Sequence, residues 1–360
     1  MQNECTNLFE GQSIYTGIDV HKNSWKVTIM GEHYEHKTFS QDPDVERLTK
    51  YLKKHFPGAE HKMVYEAGFC GFKICRQFQA HGIACKVVHP ADVPTSIKEK
   101  LQKTDKIDSR KLARSLRDRQ LEFIHIPDTE LESDRALIRQ RFRMIKDSAR
   151  TKNRVKSLLF QFGVEIPEDF SKQQTRSWSE VYINWLREIQ TADDYFRLTL
   201  DNYIDIALDQ RRHILKADSQ VRALSRTDRY RELFDLITSV PGIGRVTGMT
   251  LLVQLGDISR FSNLDKLCNY VGLVPTMHGS GDNNQAGKMI NRGRKELKIM
   301  IIEASWTAIR KDPVLMLKFN DLVAGGMNKN KAIIKIARKL LNRIRYVMRT
   351  KQPYEIGIVE

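Results

Sequence analysis

The hydrophobic pattern of this chain changes period once, and that change limits the folds open to it. Up to about residue 125 the apolar residues come in short β-rich runs broken by turn signals; from Leu131 onward they recur at helical spacing. An α/β unit followed by helices is the expected fold class. Residues 13–20, 25–30 and 33–40 read as three strands separated by Asn23-Ser24 and Gly31-Glu32, an antiparallel meander. A helix follows, with Asp42 and Pro43 suited to its N-cap and first position, Val45, Leu48 and Leu52 as its stripe, and Pro57-Gly58 as its stop. Residues 62–66 read as a strand, 72–81 as a helix stopped by Gly82, 84–88 as a strand and 107–119 as a helix. The order β-β-β-α-β-α-β-α fits an RNase H-like layer, a mixed sheet with helices on its faces.

Leu131, Ile138, Phe142, Ile145, Ala149, Leu159 and Phe162 lie near one helical face, and residues 163–167 interrupt the pattern. A second stretch, 179–222, carries Trp185, Ile189, Phe196, Leu200, Ile204 and Leu208. Together they predict a long helical hairpin, a coiled-coil connector suited to oligomerisation although its heptads are imperfect. The last region is expected to be mostly helical. Val240-Pro241-Gly242-Ile243-Gly244 separates two helical runs, residues 247–255 and 261–271 read as helices, and a glycine- and asparagine-rich loop covers 278–287. Two basic helices, 295–310 and 328–349, follow; the second buries Ile333, Ala337, Leu340, Ile344 and Val347 and displays Lys331, Lys335, Arg338, Arg343 and Arg345. The expected domains are 1–128, 129–229 and 230–360.

Charge narrows the function. The formal net charge is +16 over 360 residues. Residues 285–351 hold 17 Lys and Arg against four acids, and 135–156 hold nine against one, so the rest of the chain is net acidic. Two single-sign blocks are an electrostatic footprint for a polyanion, most readily nucleic acid; a basic solubilising surface is the plainer alternative. The apolar runs all fall short of the about 18 residues of a membrane span, and no secretory leader is evident, so a cytosolic protein is expected. The five cysteines, at 5, 70, 75, 85 and 268, contain no CxxC pair and read as free thiols.

Four carboxylates stand apart. Asp19 interrupts the apolar run Gly17-Ile18-Asp19-Val20, Glu66 ends Met63-Val64-Tyr65-Glu66, and Asp105 and Asp108 are spaced to share one side of a helix start. An acid in a strand built for burial needs a partner. A divalent cation held by oxygen ligands from two strands and a helix is one such partner, and two ions would clamp both oxygens of a phosphodiester in transfer. Singly, Asp19 also reads as a turn or edge residue and Asp105/Asp108 as helix caps. Pro241-Gly242-Ile243-Gly244 before a helix resembles a helix-hairpin-helix turn whose Gly242 and Gly244 amides could hold a DNA phosphate; a tight interhelical turn is the alternative. Ser280 lies between two glycines, His278 is nearby, and Lys288, Arg292, Arg294 and Lys295 follow. Such a serine can approach a phosphate among cations, or be an ordinary loop serine. The candidate nucleic-acid contacts are these four cations, the two glycines, and Arg139, Arg143, Lys146 and Arg150.

These motifs in this order resemble the insertion-sequence-110 family of DEDD transposases, with the Piv-type DNA invertases as relatives. Gly17-Ile18-Asp19-Val20-His21-Lys22, Tyr65-Glu66-Ala67-Gly68 and residues 103–113 resemble its acidic motifs. Pro241-Gly242-Ile243-Gly244, Tyr270-Val271-Gly272-Leu273-Val274-Pro275 and His278-Gly279-Ser280-Gly281 resemble those of its terminal domain. Asn291 departs from the family, standing where a serine is usual. The resemblance implies a RuvC-like domain binding Mg²⁺ (or Mn²⁺) through Asp19, Glu66, Asp105 and Asp108. It implies that Ser280 attacks the DNA phosphate and stays linked to it. It further implies an element-encoded non-coding guide RNA paired with target and donor double-stranded DNA, and homo-oligomers, a dimer or a tetramer in the synaptic complex. Two other functions remain open to the residues: a RuvC-like nuclease using metal-activated water, and a non-catalytic nucleic-acid scaffold.

Overall fold

A computed structural model describes residues 8–96, 104–171, 178–191, 193–280, 283–289 and 293–357, with the side chains of 171, 277–280 and 283–288 outside that description. The chain divides into two compact units, Met1–Pro127 and Asp128–Glu360.

The first unit contains β1 (Ser13–Val20), β2 (Trp25–Met30), β3 (Glu35–Gln41), α1 (Val45–His55), β4 (Glu60–Glu66), α2 (Lys73–Ala80), β5 (Ala84–Val88) and α3 (Asp105–Arg117). The five strands form one mixed sheet in the order β3-β2-β1-β4-β5. The β1–β2 and β2–β3 pairs are antiparallel, and β1–β4 and β4–β5 are parallel. This α/β architecture is consistent with the expected RNase H-like layer. Strand β1 lies at the centre, covered on both faces, so it reads as a nearly continuous buried run instead of alternating. On one face Leu48, Leu52, Phe56 and Phe78 from the α1–α2 side pack against Ile14, Ile18, Val27 and Ile29. On the other, Leu112 and Leu116 of α3 pack against Tyr15, Val64 and Val88.

The α3 face sets the position of the acids. Tyr15, Gly17 and Asp19 alternate onto it along β1. A Cβ on Gly17 would lie 2.3 Å from the Ser109 carbonyl oxygen and 2.4 Å from the Ala113 nitrogen, so only glycine lets the helix rest on this strand. Thr28, which faces Gly17 across the β1–β2 ladder, shares 2.9 Å hydrogen bonds with the hydroxyls of Ser109 and Thr38. Thr28 and Ser109 are both fully buried, so this hydroxyl ladder fixes α3 over the meander.

Several boundaries differ from expectation for local reasons. Helix α1 is capped by Asp44, whose side chain accepts from Arg47 N at 3.0 Å, and not by Asp42-Pro43. Helix α3 begins at Asp105, two residues early, because Thr104 is its N-cap. Of the cysteines, Cys70, Cys75, Cys85 and Cys268 are free thiols, and Cys5 lies outside the described residues.

The second unit opens with α4 (Thr129–Gln161), whose 33 residues span about 50 Å. It continues through α5 (Glu168–Ser171), α6 (Glu180–Glu188), α7 (Asp194–Ser225), α8 (Arg231–Thr238), α9 (Arg245–Leu255) and α10 (Leu264–Val271). Strands β6 (Pro275–Ser280) and β7 (Asn283–Met289) precede α11 (Lys295–Ala308), α12 (Pro313–Ala324) and α13 (Lys329–Thr350). Helices α4 and α7 form the expected hairpin. At its base Leu131, Ile138 and Val221 join the core built around α9, α11 and α13. At its far end Val155 and Leu159 pack with Phe196, Leu200 and Ile204 in a separate cluster. The expected helical stretch 179–222 is two helices, since Ile189 leaves helical geometry and the Asp193 side chain accepts from Phe196 N at the start of α7. Within the expected loop 278–287, residues 278–280 and 283–287 belong instead to an antiparallel two-stranded ribbon, with Ser280 paired to Asn283. Helix α12, which the hydrophobic pattern did not announce, starts at Asp312-Pro313, where Asp312 accepts from Val314 N and Leu315 N.

Replacing Gly17 by Ala should lower unfolding free energy by about 1–3 kcal/mol through overpacking, whereas Gly68→Ala, with open space around it, should stay within about 0.5 kcal/mol. Urea unfolding compares the two; equal effects would contradict the close approach.

Candidate functional site

The acids of the first unit converge at the C-terminal ends of β1 and β4. Ile18 pairs with Tyr65 in the parallel register, so Asp19 and Glu66 come level on adjacent strands. Asp105 and Asp108 occupy the first turn of α3. The helix that Gly17 admits thus brings its start over Asp19.

Ligand atoms of Asp19, His21 and Asp105 all lie within 4.8 Å of one another. His21 Nε2 stands 3.2 Å from Asp19 Oδ2 and 3.5 Å from Asp105 Oδ2. The Asp19 side chain is 22% exposed. Burial pushes its carboxyl above the ordinary carboxylate range; His21 opposes this, and the charges of Asp105 and Asp108 add to it. The donor set is hard oxygen plus one imidazole, with negative charge in excess of its neighbours, which suits a divalent cation. Glu66 and Asp108 sit beside another partner. Lys111 Nζ donates to Asp108 Oδ1 at 2.9 Å and lies 4.0 Å from Glu66 Oε1, with only 9% of its side chain exposed.

The structure therefore brings Asp105 to Asp19, sets Glu66 level with Asp19 on the next strand, and places Asp108 beside Lys111. Sequence reasoning missed two of their neighbours, His21 and Lys111. His21 lies two residues beyond Asp19, a signal available in the motif itself. Lys111 carried no signal beyond its i, i+3 spacing from Asp108.

The expected nucleic-acid residues divide. Gly242 has φ +85°, and a Cβ there would meet the Ala304 carbonyl oxygen at 2.2 Å, so tight packing on α11 explains the glycine. Gly244 is the exposed N-cap of α9. On α4, Arg143, Lys146 and Arg150 are all exposed; Lys146 donates to Glu296 at 2.8 Å and Arg150 to Asp147 at 2.8 Å. Ser280 ends β6, but its side chain and that of Lys288 lie outside the described residues, as does Arg292 entirely. Lys295, at the first position of α11, is exposed.

Three of the five cations expected on the outer face of α13 turn inward. Arg338 donates to Asp265 at 2.7 Å, Arg343 to Asp312 at 2.6 Å, and Arg345 to the Ser262 carbonyl at 3.1 Å. Lys331 and Lys335 are exposed and, with Lys318, Lys339, Leu264 and Ile334, line a groove of about 960 Å³.

The base of the β6–β7 ribbon is closed by Gly293 lying against Gly272, where a Cβ would come 2.7 Å from the Gly272 nitrogen. Arg294 N donates to the Tyr270 carbonyl at 3.1 Å. Guanidiniums collect around the Tyr270 ring, Arg260 at 4.5 Å and Arg294 at 5.6 Å. Arg135, buried, donates to the Val253 and Gln254 carbonyls, which also bring it to the C-terminal turn of α9. Burial pushes the Tyr270 phenol up, yet Arg294, Arg260 and Arg135 together hold it below its ordinary value. Burial and Arg294 press the Arg139 guanidinium down. The ribbon therefore stems from a strongly cationic base.

A family model described as "Transposase IS116/IS110/IS902 family" matches residues 234–319. A transposase model of the DEDD type in the insertion-sequence-110 group matches residues 16–163, which include all four acids. A Sinorhizobium fredii protein named as a transposase, y4rJ, is 26% identical over 91% of this chain and 90% of its own. The transposase of insertion sequence element IS1533 from Leptospira borgpetersenii is 23% identical over 70% of this chain and 72% of its own. The pilin gene-inverting protein of Moraxella bovis is 23% identical over 96% of this chain and 99% of its own. These family matches and relatives mark a DNA transposase or recombinase, and its DEDD domain implies use of a divalent metal. The chain belongs to the IS110/IS116/IS902 family of DEDD transposases.

A raised Asp19 carboxyl favours the protonated native state, so stability falls as pH rises from the ordinary carboxylate range through the raised value. In chelator at neutral pH, Asp19→Asn should therefore melt about 2–4 °C above wild type. Added Mg²⁺ should raise the wild type alone. A lower melting temperature for Asp19→Asn in chelator would contradict the charge excess.

Proposed function

We propose that the protein is a transposase that cleaves and rejoins DNA through a serine–phosphate intermediate formed by Ser280, assisted by Mg²⁺ at the DEDD centre. The observation that carries this reading is the acid centre itself, where Asp105 on α3 comes to Asp19 on β1 in a chain whose second unit has Ser280 as the last residue of β6, on a ribbon with a cationic base. Asp19 and Asp105, with Glu66 and Asp108 beside them, would hold the cation. When bound it would neutralise charge on a phosphodiester and act as a Lewis acid.

The chain's own residues supply the rest. The Ser280 hydroxyl loses its proton as its oxygen bonds to phosphorus. The bond from phosphorus to one deoxyribose oxygen breaks, and that oxygen takes up a proton to leave as a hydroxyl. Attack by the hydroxyl of a second strand reverses the step and frees the serine, so phosphodiester bonds are conserved and no energy source is required. Arg260, Arg294 and Arg139 give the ribbon base a positive field for the phosphate backbone.

Sequence choice is assigned to an element-encoded guide RNA that pairs with target and donor DNA. The family resemblance supports this, as does cationic surface offering backbone contacts on both α4 and the Lys331–Lys335 groove. Assembly into homo-oligomers is supported by the exposed apolar residues of the helical hairpin, among them Tyr195, Leu198, Ile206 and Leu215. No helix among the described residues is long and apolar enough to cross a membrane.

Denaturing electrophoresis of reactions with labelled DNA tests the nucleophile. The wild type should yield a protein–DNA adduct, and Ser280→Ala should abolish it while DNA binding persists. An adduct that survives in Ser280→Ala would overturn the assignment, and free 5′-phosphate ends without any adduct would favour attack by water. For the interface, Arg143→Ala and Lys295→Ala should each flatten the slope of log affinity against log salt by about 0.9 for every phosphate that is no longer neutralised. Unchanged slopes would take those residues out of the DNA-binding surface.

A further inference from the structure

Lys111 is a buried lysine at the edge of the acid centre, and its place there has a consequence for how many cations the centre holds. Lysine is rarely buried this far unless paired, and its side chain is 9% exposed. Its ammonium stands 2.9 Å from Asp108 Oδ1 and 4.0 Å from Glu66 Oε1. It therefore lies beside both members of one half of the acid set. The other half is different: Asp19, His21 and Asp105 have their ligand atoms within 4.8 Å of one another, and their partner there is an imidazole, not an ammonium.

We infer that Lys111 is a built-in cation, a positioning residue that takes the place of a second divalent ion, so that the centre accepts one divalent cation, on the Asp19–Asp105 side. The inference rests on the proposed metal reading and specifies it. A divalent ion bonded to Asp108 would stand about 2.1 Å from the carboxylate oxygen, within a few ångströms of the ammonium that donates to the same oxygen. The two positive charges would share a partly buried space in which repulsion is weakly screened. The aliphatic stem of Lys111 is itself buried on α3, so moving the ammonium away to solvent would disturb packing. One ion beside a fixed ammonium also fits the proposed chemistry. A two-ion clamp serves both the attacking and the leaving oxygen, whereas here the attacking oxygen is a serine hydroxyl carried on another element.

The test counts ions on the purified full-length protein, using Mn²⁺ titration followed by the electron paramagnetic resonance signal of the free ion. Wild type should bind one Mn²⁺ per chain, Lys111→Arg should also bind one, and Lys111→Met should bind two. Asp19→Asn should lose the single site. Two ions on the wild type, or one on a Lys111→Met protein with wild-type circular dichroism, would overturn the role of Lys111 while leaving the metal centre intact. If Lys111→Met fails to fold, the wild-type and Lys111→Arg counts still decide, because two ions on either contradicts the inference. No uptake by the wild type would overturn the metal reading and this inference with it.

Discussion

Helix α3 rests on β1 through the missing side chain of Gly17, and the acid centre depends on that contact. A Cβ at this position would stand 2.3 Å from a backbone carbonyl of the helix, too close for any rotamer change to relieve, since the obstacle is main chain. With the helix seated, its first turn comes over the strand end that carries Asp19, two residues along the same face. The Thr38–Thr28–Ser109 hydroxyl ladder then sets the helix sideways. Losing one of these partners would strand a buried hydroxyl at a cost of about 1–3 kcal/mol. Strand order supplies the remaining acid, since the parallel β1–β4 pair brings both C-terminal ends to one edge of the sheet.

The electrostatics follow from this packing. Desolvation raises the Asp19 carboxyl, while the ammonium of Lys111 sits with Glu66 and Asp108. The centre is thus divided into a half with a protein cation and a half suited to an external one. In the second unit the signs are reversed. The cationic blocks are partly consumed by the fold, since Arg338, Arg343 and Arg135 serve as internal donors. Among the described residues, those still open to a polyanion include Arg143, Arg154, Lys156, Lys295, Arg310, Lys311 and the lysines of the α12–α13 groove, with the guanidiniums about Tyr270 beside them.

Much of the first unit was legible in the sequence because its strands are short and bounded by turn residues, and because an ionisable residue inside Gly17-Ile18-Asp19-Val20 has few structural explanations. The start of α3 was misjudged by two residues since the Thr104 cap competes with the acids beside it for that role. Lys111 was not legible, as its importance comes from Glu66, far away in sequence. Gly242 was legible as a glycine position, but its reason, the Ala304 carbonyl on α11, is a tertiary contact. The inward turn of Arg338, Arg343 and Arg345 escaped helix-face reasoning for the same cause: Asp265, Asp312 and the Ser262 carbonyl come from other segments. The β6–β7 ribbon was hidden by its glycine and asparagine content, which reads as loop, although Gly281-Asp282 between two extended runs is also a hairpin signal.

The most direct measurement is an anomalous difference map from crystals of the protein grown with Mn²⁺. A single peak is predicted in contact with the Asp19 and Asp105 carboxylates, with Lys111 still hydrogen-bonded to Asp108. An empty map at the end of β1, with Mn²⁺ bound elsewhere on the chain, would contradict it.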